Sequence, residues 1–328
     1  MHCDTISELQ RTGTAENLLE NHLCVDMEGM KCAGTMVQFF ACFVDGKEYV
    51  EGKPVWVSKH RQIDPGAWDY AYISVLNMIK RIRQEENEEL CLAKNYKEIQ
   101  ENHQKGLISA IATVEEGGVL NGHMERLTEL YDKGIRLVTL TWNYENCLGY
   151  PNSRDHSVMS QGLKKFGLET VEHMNTLGLM VDVSHLSDGG FWDCIRHSKA
   201  PVVASHSNAR ALCGRPRNLT DEMLKALSEK GGVAGLNFYP AFLQEEEERV
   251  TVQDIARHAA YMMKVAGEDV PAIGTDFDGF QCKGVSGYIL GPGEMEQVWE
   301  AMKKQGITER QIEKIWSGNA LRVMKEIL

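Results

Sequence analysis

The sequence predicts an α/β fold, a TIM-like (β/α)8 barrel, and three observations carry that expectation. Short, almost purely apolar runs alternate with stretches of helical period, most clearly in the second half of the chain. The apolar runs lack the in-out alternation of a half-wet sheet, so both faces should be covered, as in a parallel sheet. Seven or eight such units fit in 328 residues, which points to a closed barrel. An open doubly wound sheet is the alternative, but no G-x-G-x-x-G follows a first strand.

In the first half, Leu107–Val114 (LISAIATV) reads as a strand, Met124–Lys133 as a helix stopped at Gly134, and Ile135–Thr141 (IRLVTLT) as a strand. Leu179–His185 (LMVDVSH) is a buried strand, Phe191–Ser198 a helix and Pro201–His206 (PVVASH) a strand. Thr220–Lys230 carries a Thr cap, acids in its first turn and Gly231-Gly232 as a stop, which defines a helix. Val233–Phe238 is a strand, Asp254–Val265 an amphipathic helix, Ala272–Asp276 a strand and Glu309–Leu328 the closing helix. Val44–Asp64 reads as an excursion between units. No linker rich in Pro, Gly or Ser interrupts the chain, so residues 1–328 read as one domain.

The net charge of -12 without a basic stripe argues against nucleic acid and anionic membrane as partners. No apolar run reaches 18 residues, and the first residues lack the pattern of a signal peptide. Nine scattered cysteines without a Cys-x-x-Cys pair suit reduced thiols, hence a cytoplasmic location. Cys3 reads as a small buried filler.

Candidate chemistry gathers at the strand ends. Glu115 follows LISAIATV, His185 ends LMVDVSH, His206 ends PVVASH, Asp276 ends AIGTD, and His2 and Asp4 form His-x-Asp at the start. In a barrel those ends converge on one face. Residues at i and i+2 of an extended segment point the same way, so His2 and Asp4 can grip one ion. Imidazole and carboxylate ligands suit zinc, with manganese or cobalt as substitutes. Each residue has a bland alternative: a hydrogen-bonded histidine, a helix cap at Glu115, a turn at Asp276 and Asp278. Five separate strand ends carrying such groups favour a metal site over turn chemistry, which would supply Asn, Gly and Ser. His22, His60, His103, His123, His156, His173 and His197 show no partner pattern, His258 reads as a helix-surface or packing residue, and Glu245–Glu248 reads as a solvated loop or helix start.

Read together, HCDT at 2–5, QFFACFV at 38–44, TVEEGG at 113–118, LYDKGIRLVTLTWNYEN at 130–146, LMVDVSHLS at 179–187, VVASHSNA at 202–209, RPRNLTD at 215–221, LNFY at 236–239 and IGTDFDG at 273–279 resemble the membrane (renal) dipeptidase family of zinc peptidases, its bacterial members most closely. The resemblance implies a dipeptidase with two zinc ions per chain bridged by a carboxylate. It implies His2, Asp4 and Glu115 at the first ion, Glu115 with His185 and His206 at the second, and Asp276 as the acid/base, with Glu115 and Asp276 the catalytic carboxylates. Glu116 is the rival of Glu115. Arg217 would hold the substrate's free carboxylate, and Tyr239 would line its pocket. Related enzymes are often dimers, so a homodimer is the expected assembly. The sequence departs from the family at two places. Only Met1 precedes His2, where family members have a short apolar strand: either the start is misassigned, a few residues are lost, or the first strand is truncated, and truncation would loosen the first ion site. Trp142 stands where renal members carry a carbonyl-contacting His; its N–H, or Asn143 beside it, is the remaining donor. Other two-metal hydrolases of cyclic amides, N-acyl amino acids or phosphoesters are the nearest rivals, and a non-catalytic metal-binding relative is the next.

Overall fold

The computed structural model describes residues 1–13, 15–49, 63–280 and 288–328. Eight parallel strands form one sheet: β1 (Val37–Phe43), β2 (Leu90–Leu92), β3 (Ile108–Glu115), β4 (Ile135–Thr139), β5 (Met180–Asp182), β6 (Val202–Ala204), β7 (Val233–Leu236) and β8 (Pro271–Ile273). The strand order is β1-β3-β4-β5-β6-β7-β8, with β2 pairing the first residues of β3. Residues 2–4 lie between the two ends of that path. Cys3 bridges Phe277 in parallel, the Asp4 N–H donates to Phe277 O at 2.9 Å, and the Ala41 N–H donates to Cys3 O at 3.0 Å. This short segment is thus bonded to β1 on one side and to the chain leaving β8 on the other, as the eighth stave of a TIM-like barrel. The loosened start expected from the short first strand is not found: His2 is 1% and Asp4 5% exposed.

Two apolar layers explain why the strand sequences show no polar alternation. Phe39, Ile111, Leu137, Met180, Val203, Val233 and Ala272, one from each barrel strand, pack together inside the ring. Ala320, Val323 and Met324 of the last helix, Asn319–Ile327, join them and cover the N-terminal ends of the strands. The alternate residues, such as Phe40, Val114, Val138 and Val181, face outward onto the surrounding helices. Each large side chain buried this way contributes about 1.5–3 kcal/mol of transfer free energy.

The helices at Met124–Asp132, Asp188–His197, Asp221–Glu229 and Val252–Ala266 stand where sequence places them, within a few residues. Thr220 caps the third, accepting from the Met223 N–H. The closing helix stands where expected and carries a π-turn at Lys314–Gly318 between Glu309–Glu313 and Asn319–Ile327. A 20-residue helix, Pro65–Gln84, was not expected. The excursion expected at Val44–Asp64 falls mostly outside the described residues. Among these, no helix is long and apolar enough to cross a membrane.

Strand register sets the level of the mouth. Phe43 pairs with Glu115, Glu115 with Thr139, and Thr139 with Asp182. Close approach of β6, β7 and the end of β8 depends on glycine. A methyl group at Gly235 would stand 1.9 Å from Ser205 O, and one at Gly274 would stand 2.0 Å from the same atom. Gly235→Ala should therefore destabilise the metal-free chain by at least about 1–3 kcal/mol. A denaturant midpoint equal to that of the wild type would show that the strands can spread without cost.

Candidate metal centre

Glu115 is the last residue of β3 and is 3% exposed. Its two carboxylate oxygens face two different groups. Oε2 lies 3.3 Å from His2 Nε2, which is also 3.3 Å from Asp4 Oδ2 and 3.7 Å from Asp276 Oδ1. Oε1 lies 3.2 Å from His185 Nε2 and 3.3 Å from His206 Nε2, and those two nitrogens are 3.1 Å apart. The five strand ends singled out from sequence therefore converge. The neighbouring Glu116 points away. It is the residue that caps the following turn, accepting from the Gly118 N–H at 2.8 Å, the Trp142 N–H at 2.9 Å and the Asn146 side-chain amide. The helix-cap alternative considered for Glu115 belongs to Glu116.

The electrostatics are those of a cation site. Three carboxylates, Asp4, Glu115 and Asp276, are enclosed together. Burial raises Asp4 to about 7, against the opposing pull of His2, and it raises Asp276 as well. Burial also works against ionised Glu115, yet charged His2 and the close approach of the His185 and His206 imidazoles hold it well below the usual carboxylate range. His2 is held well above its ordinary value because Glu115 and Asp4 outweigh its burial. His185 is lowered to about 4, and His206 falls well below its usual value; burial is the main cause for both, and Arg217 adds to it. Neutral imidazoles and ionised carboxylates are the forms that bind metal.

The residues fit a metal ion. Among the described residues, His2 Nδ1 and Nε2, Asp4 Oδ1, Glu115 Oε1 and His185 Nδ1 are buried without a hydrogen-bond partner. The ligand atoms of His2, Glu115 and His206 lie within 4.8 Å of one another, as do those of His2, Asp4 and Asp276. A tetrahedral ion with bonds of about 2.0–2.1 Å needs ligand atoms roughly 3.3–3.4 Å apart. The separations of 3.1–3.7 Å within each group are near that distance.

Above the cluster opens a cavity of about 700 Å³. Asp4, Glu115, His185 and Asp276 reach it from the floor, while His2 and His206 lie beneath. Arg217, Tyr239, Trp142 and Asn143 all line its wall. Arg217 is 5% exposed; its Nη1 donates to Ser207 Oγ at 2.6 Å, while Nε and Nη2 are buried without partners among the described residues. The Trp142 ring packs edge-on against Phe43, 4.8 Å between centroids, and against Tyr144. Asn143 is exposed.

The membrane dipeptidase (peptidase family M19) model matches residues 1–328. The chain belongs to this family. A dipeptidase of Schizosaccharomyces pombe is 30% identical over 318 residues, 95% of this chain and 73% of that protein. A Klebsiella pneumoniae protein encoded in the region 5′ of pqqA is 33% identical over 247 residues, 73% of this chain and 88% of its own. Among solved structures, a Rhodobacter sphaeroides metallopeptidase liganded with a phosphinate mimic of L-Ala-D-Ala superposes with a TM-score of 0.85 at 23% identity, covering 100% of this chain and 98% of that one. The probable dipeptidase PvdM of Pseudomonas aeruginosa gives 0.82 at 19% identity, covering 98% and 97%. These two show that the dipeptidase family's barrel is the fold of this chain.

Sequence reading passed over Asp182, Ser205 and Asn237, which support the centre from within quoted motifs. Asn237 Nδ2 donates to Asp276 Oδ2 at 2.9 Å, and its amide is oriented by the Tyr239 N–H, 2.6 Å from Asn237 Oδ1. The signal available was a polar residue inside an apolar run. His258 is fully buried, bonded to the Ala209 N–H and to Leu243 O, and is a packing residue rather than a surface one. Glu116→Ala would strand three donors in the core, and should cost several kcal/mol of stability at about 1–3 kcal/mol for each unsatisfied group. Equilibrium unfolding of the metal-free chain reads this directly, and a loss under about 1 kcal/mol would mean that water replaces the carboxylate.

Proposed function

We propose that the chain hydrolyses dipeptides with two zinc ions, one held by His2, Asp4 and Glu115, the other by His185, His206 and Glu115. Arg217 is the observation that carries the dipeptide reading. A guanidinium this deeply buried costs several kcal/mol unless it is paired, and its Nε and Nη2 lack partners among the described residues. Burial lowers it to about 10, so it stays charged at neutral pH. A ligand carboxylate supplies the missing pairing, in the bidentate geometry that arginine favours. That requirement fits a short peptide whose free C-terminus lies one residue beyond the scissile amide. It does not fit a phosphotriester.

A metal pair bound there would supply a water that deprotonates near neutral pH and a Lewis acid for the carbonyl oxygen. The chain's own part is to place and move protons. Asn237 occupies Asp276 Oδ2, so Oδ1, the oxygen facing His2, is free to take the proton of the attacking water. As the hydroxyl adds to the carbonyl carbon and the C–N bond breaks, Asp276 returns that proton to the leaving amine. Burial raises Asp276, which suits a base working near neutral pH. Trp142 neither ligates metal nor accepts a proton, so the carbonyl contact of renal members has no counterpart in this side chain. Its ring and that of Phe43 instead give the cavity an apolar wall.

The test is hydrolysis by the purified chain, stripped by chelator and restored with zinc. The panel holds L-L and L-D dipeptides, N-acyl amino acids and tripeptides; the L-Ala-D-Ala mimic held by the R. sphaeroides protein is the reason for the L-D members. Zinc-dependent cleavage of dipeptides but not tripeptides is expected. Cleavage of N-acyl amino acids alone would favour the acyl-hydrolase alternative. Asp276→Asn should lower kcat by about 10²–10⁴-fold with two zinc ions still bound, and retained turnover would remove Asp276 from the acid/base role.

Zinc binding should also release protons. Metal-free His2 is held above its ordinary value by Glu115 and Asp4, so the His2–Asp4 pair carries a proton at pH 6.5 that a bound ion must displace. Affinity should therefore fall as pH drops below about 7. Calorimetry in two buffers of different ionisation enthalpy counts the protons, and none released at pH 6.5 would exclude His2 and Asp4 as ligands.

A further inference from the structure

We infer that Asp182 and Ser205 act as positioning residues for the metal centre, by fixing His206 in the tautomer that carries its proton on Nδ1. Asp182 ends β5 and is fully buried between β4 and β6. Its Oδ1 accepts from the Ser184 N–H at 3.0 Å and the Ser205 N–H at 2.8 Å. Its Oδ2 accepts from Thr139 Oγ1 at 2.6 Å and Ser205 Oγ at 2.5 Å. An aspartate carboxylate only accepts, so the single hydroxyl proton of Ser205 is committed to Asp182. Ser205 Oγ then has lone pairs alone to offer His206 Nδ1, 2.7 Å away. Nδ1 must therefore be the donor. Nε2 is left with its lone pair aimed at the point shared by Glu115 Oε1 and His185 Nε2, 3.3 and 3.1 Å distant.

This support is particular to one ligand. His2 Nδ1 and His185 Nδ1 have no partner among the described residues. The next serine serves a different group: Ser207 Oγ accepts from Arg217 Nη1 at 2.6 Å, and Ser184 Oγ stands between Ser205 and Ser207 at 3.3 and 3.4 Å. Ser205 and Ser207, on either side of His206, thus orient the ligand and the guanidinium respectively.

The inference rests on His206 being a metal ligand, and the experiment separates the two. Zinc is titrated against a competing chelator in the wild type, Ser205→Ala, Thr139→Val and His206→Ala. Ser205→Ala should weaken one zinc by about ten- to a hundredfold and leave the other unchanged. Thr139→Val, which removes a bond to the same Asp182 oxygen without touching His206, should keep both affinities. Equal weakening in the two variants would make the network mere packing and overturn the proposal; so would wild-type affinity in Ser205→Ala. Wild-type affinity in His206→Ala would instead defeat the metal assignment beneath it. A second measurement needs no folded variant of Ser205. ¹⁵N spectra of histidine-labelled, metal-free wild type should show His206 protonated at Nδ1, and protonation at Nε2 would overturn the proposal.

Discussion

The rest of the site depends on the enclosure of the Glu115 carboxylate with one oxygen toward each of two groups of ligands. A carboxylate removed from water is costly unless positive charge or hydrogen bonds replace its solvation. Asp4 and Asp276 arrive beside it from opposite ends of the chain, so the cost rises with each. The barrel accepts this arrangement because parallel strands bring their ends to one rim, where ligands far apart in sequence face a common centre. The three acids then create the demand for cations. In their absence a proton on His2 meets part of it, which is why that imidazole is held so far above its ordinary value.

The same rim stores conformational strain. His185, Asp276 and Asp278 adopt φ of 66°, 66° and 68°, a region that side chains with a Cβ rarely occupy and that costs of order 1–3 kcal/mol each. Each is tied down. Asn152 donates to His185 O through its backbone N–H at 2.7 Å and its side chain at 3.1 Å. Asp278 accepts from Thr5 Oγ1 at 2.5 Å and from the Cys24 N–H at 2.7 Å. Gly279 follows because nothing larger fits: an added methyl group would stand 2.6 Å from Asp4 Oδ2 and 2.7 Å from Asp276 Oδ1. At Asp276 the left-handed turn and the placement of its carboxylate beside His2 are one feature, while Asp278 serves the turn alone.

Sequence made the barrel legible wherever a strand is short, apolar and followed by a capped helix, as from Leu179 onward. It was silent on Pro65–Gln84, although Trp68, Ala71, Tyr72, Val75, Ile79 and Ile82 form a buried stripe of helical spacing. That stripe is interrupted by polar residues on both sides and lacks strong flanking strands, so only packing reveals its partner. The cluster was legible because metal-capable side chains recur at strand ends, which the barrel brings together. The supports were not: Asp182, Ser205 and Asn237 acquire their roles from partners on other strands, such as Thr139 and Asp276, that no local pattern joins. The small segment at His2–Asp4 misled in the other direction. Its rigidity comes from β1 and the end of β8 rather than from residues of its own.

Glu115 and Glu116 show how one dipeptide couples chemistry to framework. Adjacent residues of an extended chain face opposite ways, so the first glutamate enters the mouth and the second enters the packing behind it. Burial raises Glu116 to about 7, partly offset by the bonds it accepts from Gly118, Trp142 and Asn146. Through the Trp142 N–H it anchors the backbone after β4, and Phe43 and Tyr144 then brace the indole from its edges. The cavity wall facing the proposed ligands is therefore an extension of the core, set by the residue next to Glu115. A change at Trp142 reaches both the shape of the cavity and the bonds that hold the β3 and β4 ends together, so its effect on substrate choice is separable from its effect on stability only when both are measured on the same variant.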